Sequence, residues 1–522
     1  MNARPARAAA VDLVAERLTF EPPCAKAGTA AGSERLVVAA VILVVAISYA
    51  VTLTPGHVFV NDDFAAYVMH ARNLVEGHSY SDIGYIPNPD AMWISPSSGY
   101  PPVYPAILAP IYWLFGLNLH AFKIVTIFCF VGFLSVYAEL IESEIGSVAT
   151  AILILLLSFN PVFWEQREFI LSEFPYLLFS FAALLAIERV YAVLERDEIK
   201  VGRVVLLSAL LYCAYGTRTI GVALLFGLIA ADLVKFRRPS RFLICDLALT
   251  GLLVGVQTLL LTSPKGYASA FHFSLHTIAV NTIHYGKTLS YVWDNGFSKA
   301  FQIAVALAFT AAATLGYLKS VWRERGTKEF YLLAYVAVLL AWNSEIGLRG
   351  LLPILPLYLF YGVREYSRLL EGARLPVRVI AAGAFVGIAA VSYAGKIRYE
   401  AALAAEPNVA DADAIAMFDY LRGHSSPEDV LVFSKPRSLA LFTGRRVAAL
   451  SPDQTQTQQL AFLNSIHATI LVDAVWSEIK PGDVLSANSA QEVFHTGRYR
   501  VYRVNFPAGS TGKSAKGLQT QN

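Results

Sequence analysis

A succession of apolar runs constrains this sequence more than any other feature. The runs fall near 35–53, 121–141, 147–163, 174–193, 203–217, 219–234, 242–262, 299–318, 329–342, 351–363 and 377–394. A helix rises about 1.5 Å per residue, so about 20 apolar residues cross a hydrocarbon layer of about 30 Å. About eleven segments meet or approach that length. Of the 522 residues, 56% are hydrophobic and only 16% are charged, where soluble domains carry roughly 25% charge. The sequence therefore predicts a polytopic α-helical membrane protein. Its net charge of +3 comes with no basic run suited to nucleic acid. Cys24, Cys129, Cys213 and Cys245 have no metal spacing and read as unpaired small hydrophobes.

Residues 1–34 hold Arg4 and Arg7 but no cleavage site behind a short apolar core, and read as a cytoplasmic tail. Residues 35–395 form the membrane module. Tyr104 to Gly116 is apolar too, but short, with two prolines in it. Loop charge decides its placement. If it lies flat, the loops near 195–203, 235–241, 319–328 and 364–378 are cytoplasmic. They then hold roughly fifteen Lys and Arg, against roughly six on the other side. Arg237, Arg238, Arg241, Arg323, Arg325, Arg374 and Arg378 are among them. Residues 54–120 are accordingly expected to form one external loop with two interfacial helices.

That loop contains VNDDFAAYVMHARNLVEGHSY, Val60 to Tyr80. Phe64, Tyr67, Val68, Ala71, Leu74 and Val75 recur at helical spacing, giving one apolar face. Asn61 is the expected N-cap, with Asp62 and Asp63 in the first turn, where the helix dipole favours negative charge. Such a helix beside a span is expected in the interface plane. Capping alone would explain an isolated Asp pair. Other charges gather on the same side, however: Glu173 in EQREFILSEFPY, Arg218 in YGTRTIG and Arg349 in NSEIGLRGLLPILP. Taken singly, Glu173 would serve as a helix start and Arg349 would snorkel. Charges at membrane depth are costly and usually line a cavity. Three acids and two arginines on one face point to a site for something anionic and reactive.

Tyr100 to Pro105 in SSGYPPVYP stiffen the approach to the second interfacial helix, as a turn or as a groove wall. His57, His70 and His78 match no zinc spacing. Residues 263–298 read as a loop, in which His284, Tyr285 and Lys287 have the chemistry to meet a phosphate. From 396 to 506 hydropathy falls and a small extracytoplasmic α/β domain is expected. DADAIAMFDYLRGH is its helix; DVLVFS, RRVAAL, ATILVDA and RYRVYRVNF are its strands. Residues 507–522 read as a disordered tail.

The order of these pieces resembles the GT-C superfamily of membrane glycosyltransferases. It is most similar to the protein O-mannosyltransferase, aminoarabinose transferase and rhizobial galacturonosyltransferase-like group. The pieces are Asp62–Asp63, Glu76–Tyr80, Pro101–Pro102, Trp113–Gly116 and Ile170–Glu173. They cover roughly the first two hundred residues, with weaker agreement to Pro356. Asp63 stands where the group usually has Glu, and Glu173 where it usually has Asp. Leu439–Val447, LALFTGRRV, resembles external domains appended to some such enzymes and carries no evident catalytic motif.

The resemblance implies inverting transfer of a sugar from a polyprenyl-phosphate donor to an extracytoplasmic acceptor (glycan, lipid or protein). The site would face outward from the cell inner membrane, among membrane lipids. Asp62 is then the expected base, with Asp63 and Glu173 as further catalytic acids or as ligands of a divalent cation (Mg or Mn). Arg218, Arg349 and Lys287 are the expected donor-phosphate residues. Tyr67, Tyr80, Tyr100, Tyr104 and His284 are assigned to the acceptor or its groove. Two other classes share these features: a flippase-like carrier of lipid-linked sugars, and a non-catalytic assembly protein. No paired interrupted helices in matching halves favour a carrier.

Overall fold

Short stop signals cut the apolar chain into helices. Gly146, at φ +79°, ends Leu119–Ile145, and Ser147–Ser158 starts at once. Asn118 caps the first of these by accepting from the Ala121 N–H at 3.1 Å. Asn160 caps Pro161–Gln166 in the same way, with proline at the first position. The structure, a computed structural model, describes residues 30–60, 62–90, 99–196, 198–261, 274–296, 298–342, 347–402, 406–485 and 489–505. The expected N-terminal tail as far as residue 29 with Cys24, the Asn61 cap and the tail from 507 lie outside these residues.

Among the described residues six helices are long and apolar enough to cross a bilayer: Leu119–Ile145, Glu173–Val193, Thr219–Phe236, Arg241–Leu260, Lys299–Arg323 and Pro376–Ile397. The shorter apolar runs expected as spans are helical as well, including Arg35–Val51, Val201–Thr217, Thr327–Ala341 and Leu355–Leu369. The protein is thus polytopic. Its membrane core is dominated by aromatic packing: Tyr49, Phe130, Phe133, Phe174 and Phe181 are all 1% exposed or less. Cys129, Cys213 and Cys245 are unpaired.

Two local expectations change. The stretch read as a loop over 263–298 contains a helix, Leu275–Ser290. Ser274 caps it, and its buried face is Asn281, Tyr285 and Thr288. Those polar groups pack inward, so hydropathy hides the helix. The other change concerns Asp63–Glu76. It is not a one-faced interfacial helix but is buried nearly all round from Phe64 to Ala71. Helix Val103–Phe115 packs on one side of it and helix Pro436–Thr443 on another.

The C-terminal part holds the helix and four strands read from the sequence, plus one further strand. Its sheet has the order β1-β3-β2-β4-β6-β5. The strands are β2 Val430–Val432, β3 Arg446–Ala448, β4 Ala468–Ala474, β5 Ala490–His495 and β6 Tyr499–Val504. The edge strand β1, Tyr85–Ile86, comes from the first loop and pairs parallel with β3. A bridge between Val58 and Asn408 adds a second tie. One apolar cluster continues through both parts, joining Phe59, Phe64 and Met69 to Met417, Leu439 and Tyr499. The C-terminal part and the first loop therefore share one core.

Candidate active site

The charges singled out in the sequence meet at one end of the helix bundle. Glu173 is the first residue of its helix, Arg218 follows Val201–Thr217, and Arg349 lies in the short helix Leu348–Leu351. Arg218 Nη1 donates to Glu173 Oε1 at 2.6 Å, and Arg349 Nε donates to the same oxygen at 2.7 Å. Arg349 Nη1 also donates to Asp63 Oδ2 at 3.0 Å. Asp63 and Glu173 thus share one guanidinium. That contact also fixes the parity of the helices between them. Leu119–Ile145 leaves this end and the chain returns to it at Glu173, so Val103–Phe115 cannot also cross.

Asp63 has further partners on its other oxygen. Tyr100 Oη donates to Oδ1 at 2.6 Å, and Arg437 Nη1 does so at 2.9 Å. Burial pushes the Asp63 carboxyl up, but Arg349 and Arg437 outweigh it and hold it down at about 2. Asp62 faces elsewhere. Its Oδ2 accepts from the Arg437 N–H at 2.9 Å, and its Oδ1 accepts from the Ser438 N–H at 2.7 Å and the Ser438 hydroxyl at 2.5 Å. Asp62 therefore caps the helix Pro436–Thr443, which has no capping side chain of its own. Burial pushes Asp62 above its ordinary range, against the pull of Arg437 and Ser438.

A cavity of about 230 Å³ opens beside this network. Asp63, Tyr67, Tyr100, Ser172, Arg218, Tyr335, Trp342 and Arg349 line it. Among the described residues, Asp63 is the one carboxylate on its wall. Glu173, 1% exposed, stands behind the two arginines, and its Oε2 has no hydrogen-bond partner among the described residues. Tyr67 donates to Ser172 Oγ at 3.0 Å and packs against Tyr100 and Tyr104. Tyr104 is buried against Thr126, away from the wall, and Tyr80 stacks on His70 and donates to the Tyr100 carbonyl.

Lys287 and His284 are not brought to this network. Lys287 is exposed on the helix Leu275–Ser290, and His284 packs edge-on to Tyr285 near Thr288. Two loop histidines are core residues. His57 stacks on Phe64 and His70 on Tyr80, and burial pushes them down to about 3 and about 4, so both are neutral.

Asp63 and Glu173 do not fit the cation expected there. Arg349 stands between them, and each already faces two arginines. No group of three or more His, Cys, Asp or Glu comes together among the described residues. Arg218 and Arg349 instead put two guanidinium groups on the cavity wall, donors suited to an anion. Sequence reasoning missed Arg437 and Ser438. The available signal was Lys435-Pro436, a helix start with no capping side chain before it.

No family model matches the sequence. No curated protein matches it either. Solved structures do match in fold. ArnT from Cupriavidus metallidurans bound to undecaprenyl phosphate superposes with a TM-score of 0.55 at 13% identity, over 90% of this chain and 97% of that one. Its apo form gives 0.55 at 14% identity, over 91% and 98%. The archaeal oligosaccharyltransferase AglB from Archaeoglobus fulgidus, with an inhibitory peptide and a dolichol-phosphate, gives 0.54 at 12%, over 84% and 69%. Both are GT-C proteins, and the chain has the fold of the GT-C membrane glycosyltransferases.

Proposed function

We propose that this protein transfers a sugar from a polyprenyl-phosphate donor to an acceptor hydroxyl outside the cytoplasm, with inversion at the anomeric carbon. The observation that carries the reading is the cavity wall, on which one carboxylate, Asp63, faces two arginines, Arg218 and Arg349. The fold neighbours are compatible with a lipid-phosphate donor, since one is bound to undecaprenyl phosphate and another to a dolichol-phosphate.

The roles follow from the chemistry. The donor is a phosphodiester with one negative charge, and the cavity wall offers it two guanidinium groups. Arg349 and Arg218 hold its phosphate and stabilise the charge that grows on it as the bond to the sugar breaks. The acceptor oxygen attacks the anomeric carbon from the opposite face. Its proton passes to Asp63, which takes the place first expected of Asp62 because Asp62 is committed to another helix. A carboxylate held near 2 is a weak base. A donor phosphate that draws Arg349 away from Asp63 restores basicity as the substrate binds. Glu173 keeps both arginines aimed. Tyr67 and Tyr100 flank the acceptor.

The test is direct. Purified full-length protein is given undecaprenyl-phosphate-linked sugars and an extracted envelope fraction as acceptor. Release of undecaprenyl phosphate that requires the acceptor supports the reading. No release from any donor, with labelled lipid-linked sugar crossing the bilayer instead, replaces it with a carrier.

A further inference from the structure

The helix Pro436–Thr443 begins with proline and lacks a side-chain cap of its own. Its first N–H groups are satisfied by Asp62, from a segment far away in sequence. This clasp sets where Arg437 lies. Its guanidinium sits over the rings of Tyr85 and Tyr100, with Cζ 5.1 and 5.6 Å from their centroids. From there Nη1 reaches Asp63 Oδ1 at 2.9 Å and Tyr100 Oη at 3.2 Å. Arg437 is 7% exposed and does not line the cavity. It stands behind Asp63, on the side opposite Arg349.

The two oxygens of Asp63 are therefore unlike. Oδ1 is held twice, by Tyr100 and Arg437, and Oδ2 once, by Arg349. Of the two arginines on Asp63, only the Oδ2 partner, Arg349, lines the cavity together with Arg218, where an anion would compete for it; Tyr100, on Oδ1, lines it as a neutral donor. We propose that Arg437 is a positioning residue: the C-terminal domain, clasped through Asp62, uses it to fix Asp63 Oδ1 and so presents Oδ2 to the acceptor. Adjacent acids do adjacent tasks. Asp62 seats the domain, and Asp63 receives the arginine the domain brings. The proposal rests on the transfer reading above and adds that the reacting group is complete only with the domain in place.

The test uses the full chain and two probes: undecaprenyl phosphate for binding, and an undecaprenyl-phosphate-linked sugar with acceptor for turnover. Arg437→Gln is expected to lower kcat on the order of 10²-fold, as misplacement of a reacting group does. The Kd for undecaprenyl phosphate and the donor KM should stay within about threefold, because Arg218 and Arg349 remain. Arg437→Lys keeps the charge without the fork and should recover part of kcat. Ser438→Ala loosens the clasp without touching Asp63 and should lower kcat in the same direction, with donor binding retained as the sign of a folded site. Wild-type kcat in Arg437→Gln, or a loss of undecaprenyl phosphate binding equal to that of Arg349→Ala, overturns the proposal. Absence of acceptor-dependent release by the unmutated chain instead removes the transfer reading beneath it.

Discussion

Asp62 Oδ1 accepts both the backbone N–H and the hydroxyl of Ser438, at 2.7 and 2.5 Å. The acid beside it makes no such contact and faces the cavity. Neighbouring aspartates that look equivalent in sequence thus divide between seating the C-terminal part and lining the cavity.

That division predicts different outcomes for two conservative changes. All of Asp62's partners are donors, so Asp62→Asn turns an amide NH₂ toward at least one of them. The cost should be about 1–3 kcal/mol, seen as a lower melting temperature in detergent. Turnover per folded molecule should fall far less than in Asp63→Asn, where loss of the base costs about 10²–10⁴-fold. Equal turnover losses, with Asp62→Asn melting like wild type, would return the base to Asp62.

Arg349 serves two acids, so its removal should be felt at both. Arg349→Ala leaves Glu173 with Arg218 alone and frees Asp63 Oδ2. Binding of undecaprenyl phosphate should weaken about tenfold or more, the cost of one charge-assisted contact. Isothermal titration on protein with an unchanged circular dichroism spectrum would check this.

Acid should destabilise the protein through Asp63. Its folded carboxyl lies at about 2, below the ordinary 3.8, so its ionised form is favoured by the fold. The stabilisation, on the order of 2 kcal/mol, is complete above about pH 4 and disappears as pH falls through 2. Melting temperatures taken between pH 5 and pH 2 should fall more steeply for the wild type than for Asp63→Asn. Parallel curves would show that the two arginines do not hold this proton off.

Sidedness rests on the arginine-rich loops. Arg238 and Ser434 are both exposed, and chain order puts the 235–241 turn at the helix ends away from Asp63. Arg238→Cys should resist a membrane-impermeant maleimide in intact cells, and Ser434→Cys should react, each in a background without the native cysteines. The reverse result would place the cavity on the cytoplasmic side.

The membrane helices were legible because apolar length is a local property. That Asp63, Glu173, Arg218 and Arg349 would gather was legible for a related reason, since charges beside apolar runs have few explanations. Arg437 was not legible. It lies in a polar domain where one arginine looks like any other, and its role depends on a contact across most of the chain. The helix Leu275–Ser290 was hidden because Asn281 and Thr288 face inward. Strand β1 was too short, at two residues, to leave a period.

The pairing of Tyr85–Ile86 with Val447 and Ala448 has a consequence for biosynthesis. On the proposed sidedness, the first loop is translocated while most of the protein is still unmade. At about 5–20 residues per second, it waits on the order of tens of seconds for its partner strands. During that interval Phe59, Phe64 and Met69 lack the residues that finally cover them, and the Tyr85–Ile86 edge stands open. A chain cut short before the last strands should therefore be recognised by envelope proteases or chaperones even with every membrane helix inserted. The C-terminal strands would then act as a checkpoint on the first loop.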